Sequence, residues 1–179
     1  KRLAALNAAA EGLMVVVDTP ALVPALVDAA RASGRILKVL VDLDPGLHRT
    51  GVAPGEPAYA LAAAVAAEAD LSFEGIQCYA GQVMHLGDAV QRRAKSLAVM
   101  KLIADTRDEL TRRNLPPRIL TGGGTGTVDI DPEAGVLTEL QAGSYVFMDR
   151  EYNDVWTNAG ARPPFETSLA VQTTVISAA

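Results

Sequence analysis

The chain has 179 residues, of which 49% are hydrophobic and 21% charged, and its formal net charge is −5. This length suits one sizeable core, and the high hydrophobic content argues against a disordered chain. The acidic balance argues against nucleic acid as a partner, because phosphate backbones are bound by clustered Lys and Arg. A single cysteine, Cys78, excludes an internal disulfide framework and fits a reducing compartment. No apolar run approaches the roughly 18 residues of a membrane helix. We therefore expect a cytoplasmic protein with neither a nucleic-acid nor a membrane partner.

Short apolar runs alternate with helix-like segments along the chain. Gly, Pro and small polar residues mark most of the boundaries between them. In chain order, the predicted elements are a helix at the start, a strand over 14–17, a helix over 21–32, a strand over 36–43, a helix over 57–68, a strand over 73–79, a helix over 90–113, strands over 118–121 and within 136–147, a loop over 153–167 and a strand over 168–177.

The strands are apolar on both faces and separated by helices, which is typical of a parallel sheet in an α/β fold. The last predicted strand differs, because polar Gln172 and Thr174 alternate with their neighbours and no helix follows. That alternation favours an antiparallel sheet, so a small β domain is predicted to begin there. We also expect both ends to be cut from a longer protein, since Lys1 opens inside a predicted helix without an initiator Met.

Polar, glycine-rich and aromatic residues gather directly after the predicted strands, whereas the opposite ends carry ordinary connectors. In a parallel barrel the carboxyl ends of the strands meet at one rim, and ligands bind there. This asymmetry predicts a site at that rim. Its candidate residues are Arg49 after the second strand, Tyr79 after the third, the loop 121–127 after the fourth, and Gly143, Ser144 and Tyr152 after the fifth.

The residue types indicate phosphate binding, although each has a simpler interpretation. The loop 121–127 (Thr-Gly-Gly-Gly-Thr-Gly-Thr) offers backbone amides and hydroxyls to an anion, and it equally suits tight turns. Arg49 could clamp a carboxylate or phosphate or donate to a heterocycle nitrogen, or it could pair with Asp42 or Asp44. Tyr79 taken alone suits a core position, and Cys78 has no neighbour that would activate it.

Four blocks of the sequence together resemble the D-threonine aldolase and D-serine dehydratase family, whose relatives include 3-hydroxy-D-aspartate aldolase. They are VLVDLDPGLHRTGV over 39–52, GIQCYAG over 75–81, TGGGTGT over 121–127 and TELQAGSYVFMD over 138–149. The resemblance implies a fold-type III pyridoxal-phosphate enzyme with an alanine racemase-like (β/α)8 barrel. It predicts a partial cofactor-binding barrel over 1–165, without the first strands, and the start of a C-terminal β domain over 166–179.

The resemblance also implies roles for individual residues. Arg49 is expected to face the pyridine nitrogen of pyridoxal 5′-phosphate and to keep it unprotonated, which weakens the electron sink. Tyr79 is expected near cofactor and substrate, as both a cofactor-binding and a catalytic residue. The residues expected to bind the phosphate are Thr125, Gly143, Ser144 and Tyr152.

Two parts of the family's chemistry have no counterpart at the matching positions. None of the four lysines suits the Schiff-base lysine by position: Lys38 starts a strand, Lys95 and Lys101 lie in a helix, and Lys1 is at the chain end. The family's divalent metal (Mn, Mg or Zn) is held by a pair of ligands beyond the last residue, so no metal ligand is predicted here.

The expected activity is metal-assisted cleavage of a small-molecule β-hydroxy-D-amino acid to glycine and an aldehyde. D-serine dehydratase-like deamination stays open as an alternative, and so does a non-catalytic barrel that binds pyridoxal phosphate or a phosphorylated metabolite. A homodimer is compatible with the resemblance, because dimers are common in this fold.

Overall fold

The computed structural model describes residues 1–177, and this part contains five strands and five α-helices. Short 3₁₀ turns lie between several of them. The strands and α-helices are α1 (Arg2–Ala9), β1 (Met14–Val17), α2 (Val23–Ser33), β2 (Leu37–Asp42), α3 (Glu56–Ala66), β3 (Leu71–Cys78), α4 (Ala89–Arg112), β4 (Ile119–Gly122), β5 (Glu139–Leu140) and α5 (Arg150–Thr157).

All five strands run parallel in one sheet with the order β1-β2-β3-β4-β5. α2, α3 and α4 connect the first four strands, and 3₁₀ turns connect β4 to β5. β2 is almost entirely buried, and its residues Leu37, Val39 and Val41 are among the most deeply buried side chains. This parallel sheet confirms the predicted α/β fold. The prediction succeeds because strands covered on both faces need apolar residues throughout, as in β2.

Local signals fix the ends of the helices. The Thr19 hydroxyl accepts a hydrogen bond from the Ala21 N–H before α2, and Gly34 ends that helix in the left-handed conformation, with φ at 68°. The Asp88 carboxylate accepts from the N–H groups of Val90 and Gln91 at the start of α4. No helix within residues 1–177 combines the length and apolarity needed to cross a bilayer.

The predicted loop over 153–167 is wrong in its first part, where α5 continues to Thr157. The Asp149 carboxylate caps this helix by accepting from the Tyr152 N–H. Tyr152, Val155 and Trp156 lie three and four residues apart and are all buried, so the helix gains its stability from packing one face.

The predicted strand over 168–177 is also wrong, since these residues form neither helix nor strand. Their alternating pattern meets no neighbouring strand with which to pair. The N–H groups of Ser168 and Leu169 instead donate to the Met148 carbonyl, which ties the segment to the end of the preceding turn. The β domain over 166–179 stays a prediction, and positions 178–179 lie outside the described residues.

Candidate functional site

One cleft of about 240 Å³ lies at the carboxyl edge of the sheet. Segments that follow β2, β3, β4 and β5 contribute to it. Its lining residues are Arg49, Tyr79, Thr125, Gln141, Gly143, Ser144 and Tyr152. The structure therefore brings together all six residues predicted from the sequence and adds Gln141, which the sequence analysis did not select.

The loop after β2 presents Arg49 to the cleft. Asp44 shapes this loop by accepting hydrogen bonds from the N–H groups of Gly46 and His48, and these bonds, with the His48 side chain, lower the pKa of the Asp44 carboxyl despite its burial. The Arg49 guanidinium lies 5.1 Å from the centre of the Tyr79 ring. Within residues 1–177 it forms no ion pair with Asp42 or Asp44, so the surface ion-pair interpretation is wrong.

Tyr79 follows β3 and is half-buried, with its ring packed against the hydrophobic cluster that contains Met84 and Tyr152. Two glycines allow its ring to lie where it does, because a Cβ on Gly81 would stand 2.9 Å and one on Gly124 3.4 Å from ring carbons. Burial raises the pKa of the Tyr79 phenol, Tyr152 raises it further, and the Arg49 guanidinium opposes both. The phenol is therefore neutral near neutral pH and can donate a hydrogen bond into the cleft.

The glycine-rich loop after β4 owes much of its composition to packing. A Cβ on Gly126 would stand 2.0 Å from the Met84 carbonyl oxygen, and one on Gly124 2.6 Å from the Met84 sulfur. Thr125 is buried, and its hydroxyl oxygen accepts from the Tyr145 N–H at 3.2 Å. This bond joins the loop to the turn that carries Gly143 and Ser144.

The turn after β5 leaves backbone donors free. Gly143 and Ser144 are exposed, and no acceptor within residues 1–177 takes up the N–H of either residue. Tyr152 approaches from α5, where its ring lies 4.4 Å from the ring of His85. This contact with His85 had no signal in the sequence, since the two residues belong to separate segments.

Beneath the glycine-rich loop, the buried carboxyl of Asp131 accepts hydrogen bonds from the hydroxyls of Ser96 and Thr127. It thereby fastens the loop to α4. Burial raises the pKa of Asp131, and the two hydroxyl donors oppose that shift. Burial likewise raises the pKa of Cys78, helped by two nearby carboxylates, to about 12, which agrees with the interpretation of Cys78 as an inert thiol.

Asp131→Asn is expected to remove one contribution to folding stability that decreases as the pH rises. Because the pKa of Asp131 is higher in the folded chain than in the unfolded chain, this group stabilises the fold at low pH, and that contribution is lost as the pH rises through the folded value. Asparagine stays neutral and can still bond to both hydroxyls. The urea midpoint at about pH 7, taken relative to the midpoint at about pH 4, should therefore be higher in the variant than in the wild type. The same change in urea midpoint between the two pH values in variant and wild type would contradict this prediction.

The cleft is lined mainly by hydrogen-bond donors. It offers one guanidinium, hydroxyls of Ser144 and two tyrosines, and the free backbone N–H groups of Gly143 and Ser144. No carboxylate lines it among the described residues. This donor set suits a ligand that combines an anionic group with a flat ring, because the donors meet the anion and the Tyr79 ring with Arg49 offers a flat surface.

Residues 2–151 match the family described as the alanine racemase N-terminal domain. The chain belongs to this family. It is 35% identical to a 3-hydroxy-D-aspartate aldolase from Paracoccus denitrificans (strain Pd 1222), across 98% of the chain and 46% of that relative. It is 36% identical to a D-threonine aldolase from an Arthrobacter species, across 81% of the chain and 38% of that relative.

Among solved structures, a D-threonine aldolase from Filomicrobium marinum matches with a TM-score of 0.85 and 37% identity, across 92% of the chain and 45% of that structure. The predicted resemblance to D-threonine aldolases is thereby confirmed, together with the alanine racemase-like fold. The chain spans about half the length of the relatives it matches or less.

Proposed function

We propose that the protein carrying this chain is a pyridoxal 5′-phosphate-dependent lyase that cleaves β-hydroxy-D-amino acids to glycine and an aldehyde. One observation carries the proposal: six residues selected from the sequence, five of them in four separate blocks and Tyr152 just beyond the last, line a single cleft. The names of the similar aldolases support the choice of reaction. A cytoplasmic location and a homodimer stay predictions.

The donor set fits the cofactor. In this proposal the hydroxyls of Thr125, Ser144 and Tyr152 and the free N–H groups of Gly143 and Ser144 bind the phosphate. The Arg49 guanidinium donates to the ring nitrogen and keeps it unprotonated. When bound, the cofactor withdraws electrons from the substrate and so stabilises negative charge at Cα.

Tyr79 has the residue type and protonation state of a catalytic acid or of an orienting donor. Its phenol is half-buried, neutral and next to Arg49, so its Oη can hold a proton close to the reacting atoms. The neighbouring Arg49 and glycines restrict the ring, which limits the positions that the Oη can take.

In this proposal the divalent metal is held outside this part of the chain. Within residues 1–177, no group of three or more His, Cys, Asp or Glu side chains is placed to hold an ion. None of the described lysines lines the cleft. The proposed divalent metal (Mn, Mg or Zn) and the cofactor lysine therefore need residues other than those described.

The test uses the full-length protein, pyridoxal phosphate and D-threonine. Borohydride reduction followed by peptide mass spectrometry should find one labelled lysine, and the reaction should release glycine and acetaldehyde in equal amounts. A 2-oxo acid with ammonia would instead identify a dehydratase. Absence of any specific label would overturn the pyridoxal-phosphate assignment and leave a barrel that binds another phosphorylated metabolite.

A further inference from the structure

A row of polar side chains crosses the carboxyl edge of the sheet from β2 to β5. Asp42, Gln77, Thr121 and Glu139 are successive partners in the strand register. Gln141 lies two residues beyond Glu139 and belongs to the cleft lining. Its backbone N–H donates to the Gly122 carbonyl at 2.8 Å, which holds the residue against β4.

The buried Asp42 carboxylate gives this row a direction. A carboxylate only accepts, so Gln77 must turn its amide nitrogen towards it, and Nε2 donates to Asp42 Oδ1 at 3.2 Å. The Gln77 carbonyl oxygen then faces the other way and accepts from Gln141 Nε2 at 3.3 Å. The Thr50 hydroxyl donates to the second Asp42 oxygen at 2.7 Å.

Glu139 imposes the same direction from the other end. Its carboxylate accepts from the Thr121 hydroxyl at 2.9 Å, so the Thr121 oxygen is left to accept from Gln141 Nε2, at 3.1 Å. Both N–H bonds of the Gln141 amide are thus used. Within residues 1–177 no donor reaches the Gln141 carbonyl oxygen. The amide is therefore fixed with its acceptor atom unused.

We propose that Gln141 Oε1 accepts a hydrogen bond from the hydroxyl group on the ring of bound pyridoxal phosphate. This inference rests on the proposed function. A carbonyl oxygen repels phosphate oxygens, so Gln141 cannot serve the phosphate as Thr125 and Ser144 can. The ring hydroxyl is a donor of the right kind, whereas the ring nitrogen is assigned to the Arg49 guanidinium as an acceptor. Asp42 and Glu139 are then positioning residues that keep the Gln141 acceptor turned towards the ligand.

The first test compares two probes, pyridoxal phosphate and its 3-O-methyl ether, by measuring dissociation constants with the full-length protein. Gln141→Met keeps the size of the side chain and removes the acceptor, and it should weaken pyridoxal phosphate binding roughly 3- to 10-fold. Gln82→Met is the control, because Gln82 is exposed and does not line the cleft. A loss confined to pyridoxal phosphate supports the bond to the ring hydroxyl, and an equal loss with both probes would overturn it.

The second test separates positioning from a general structural role. Asp42→Asn keeps the size of the side chain but replaces one of the two acceptor oxygens by a donor, so Thr50 and Gln77 can no longer donate to separate oxygens and the direction of the row is no longer enforced. It should weaken pyridoxal phosphate binding in the wild type and have no further effect in Gln141→Met. The same loss in both backgrounds would overturn the positioning role. Identical affinities of wild type and Gln141→Met would overturn the inference alone, whereas a wild type that binds neither probe would overturn the proposed function with it.

Discussion

Arg49→Ala is expected to weaken pyridoxal phosphate binding by about 10- to 100-fold, the range for a lost hydrogen bond to a charged group. The guanidinium is exposed and forms no ion pair within residues 1–177. Its contact with the Tyr79 ring is therefore expected to contribute little to folding stability. Folding stability should change by no more than about 1 kcal/mol, through loss of the cation–π contact. Equilibrium dialysis and thermal unfolding of the full-length protein measure the two quantities separately.

Two comparisons sharpen this prediction. Pyridoxal, which lacks the phosphate, should lose affinity by the same factor, because Arg49 is assigned to the ring nitrogen. Arg49→Lys should recover only part of the loss, since an ammonium lacks the planar geometry of the guanidinium. Arg2→Ala is the matched control, being exposed on α1 and outside the cleft. If pyridoxal binding proved independent of Arg49, the residue would serve the phosphate instead.

The sequence predicts that the site residues come together at one edge of the sheet, because this depends on the direction of the strands and not on individual side-chain contacts. Once the strands are parallel, the segments after β2 to β5 must meet at one edge, which brings the loop of Arg49 and the loop of Thr125 to the same edge. The strands themselves are predictable as short apolar runs bounded by turn residues, although β2 is buried almost throughout and Met14 and Val16 of β1 are exposed. β1 was predicted over 14–17, and the structure gives Met14–Val17.

Gln141 could not be found in this way, because nothing local distinguishes it. Its two amide partners lie 64 and 20 residues earlier in the chain, so its orientation is set only when β3, β4 and β5 come together. The strand predicted over 168–177 failed for a related reason. Alternating polarity describes the two faces of a possible strand but supplies no partner for it. Pairing with a neighbouring strand decides whether a strand forms.

Helix α5 also depends on contacts with distant parts of the chain, which the local sequence does not reveal. The polar and turn-forming residues after Trp156, together with Pro163 and Pro164, made the segment read as a loop. Asp149 was quoted only as part of a motif, although its carboxylate is the helix cap. The burial of Tyr152 and Trp156 against the rest of the chain outweighed the low helix propensity of this short segment.

Glycine spacing alone cannot separate a glycine needed for packing from one needed for a ligand, and the structure divides the two. Gly126→Ala is expected to destabilise the fold by about 3 kcal/mol, because the new Cβ would overlap the Met84 backbone, which cannot yield as a flexible side chain can. The loss should be the same with and without pyridoxal phosphate. Urea unfolding under both conditions measures it.

Gly143→Ala is the matched variant at the other glycine. A Cβ there meets nothing within 4 Å, and the φ of −124° suits any residue, so stability should stay within about 0.5 kcal/mol. Pyridoxal phosphate affinity should nevertheless fall about tenfold, because the methyl group would crowd the N–H groups assigned to the phosphate. Unchanged affinity would remove Gly143 from the phosphate site, and an unchanged urea midpoint for Gly126→Ala would contradict the packing role of that loop. Opposite responses of the two variants follow only if one glycine serves the fold and the other serves the ligand.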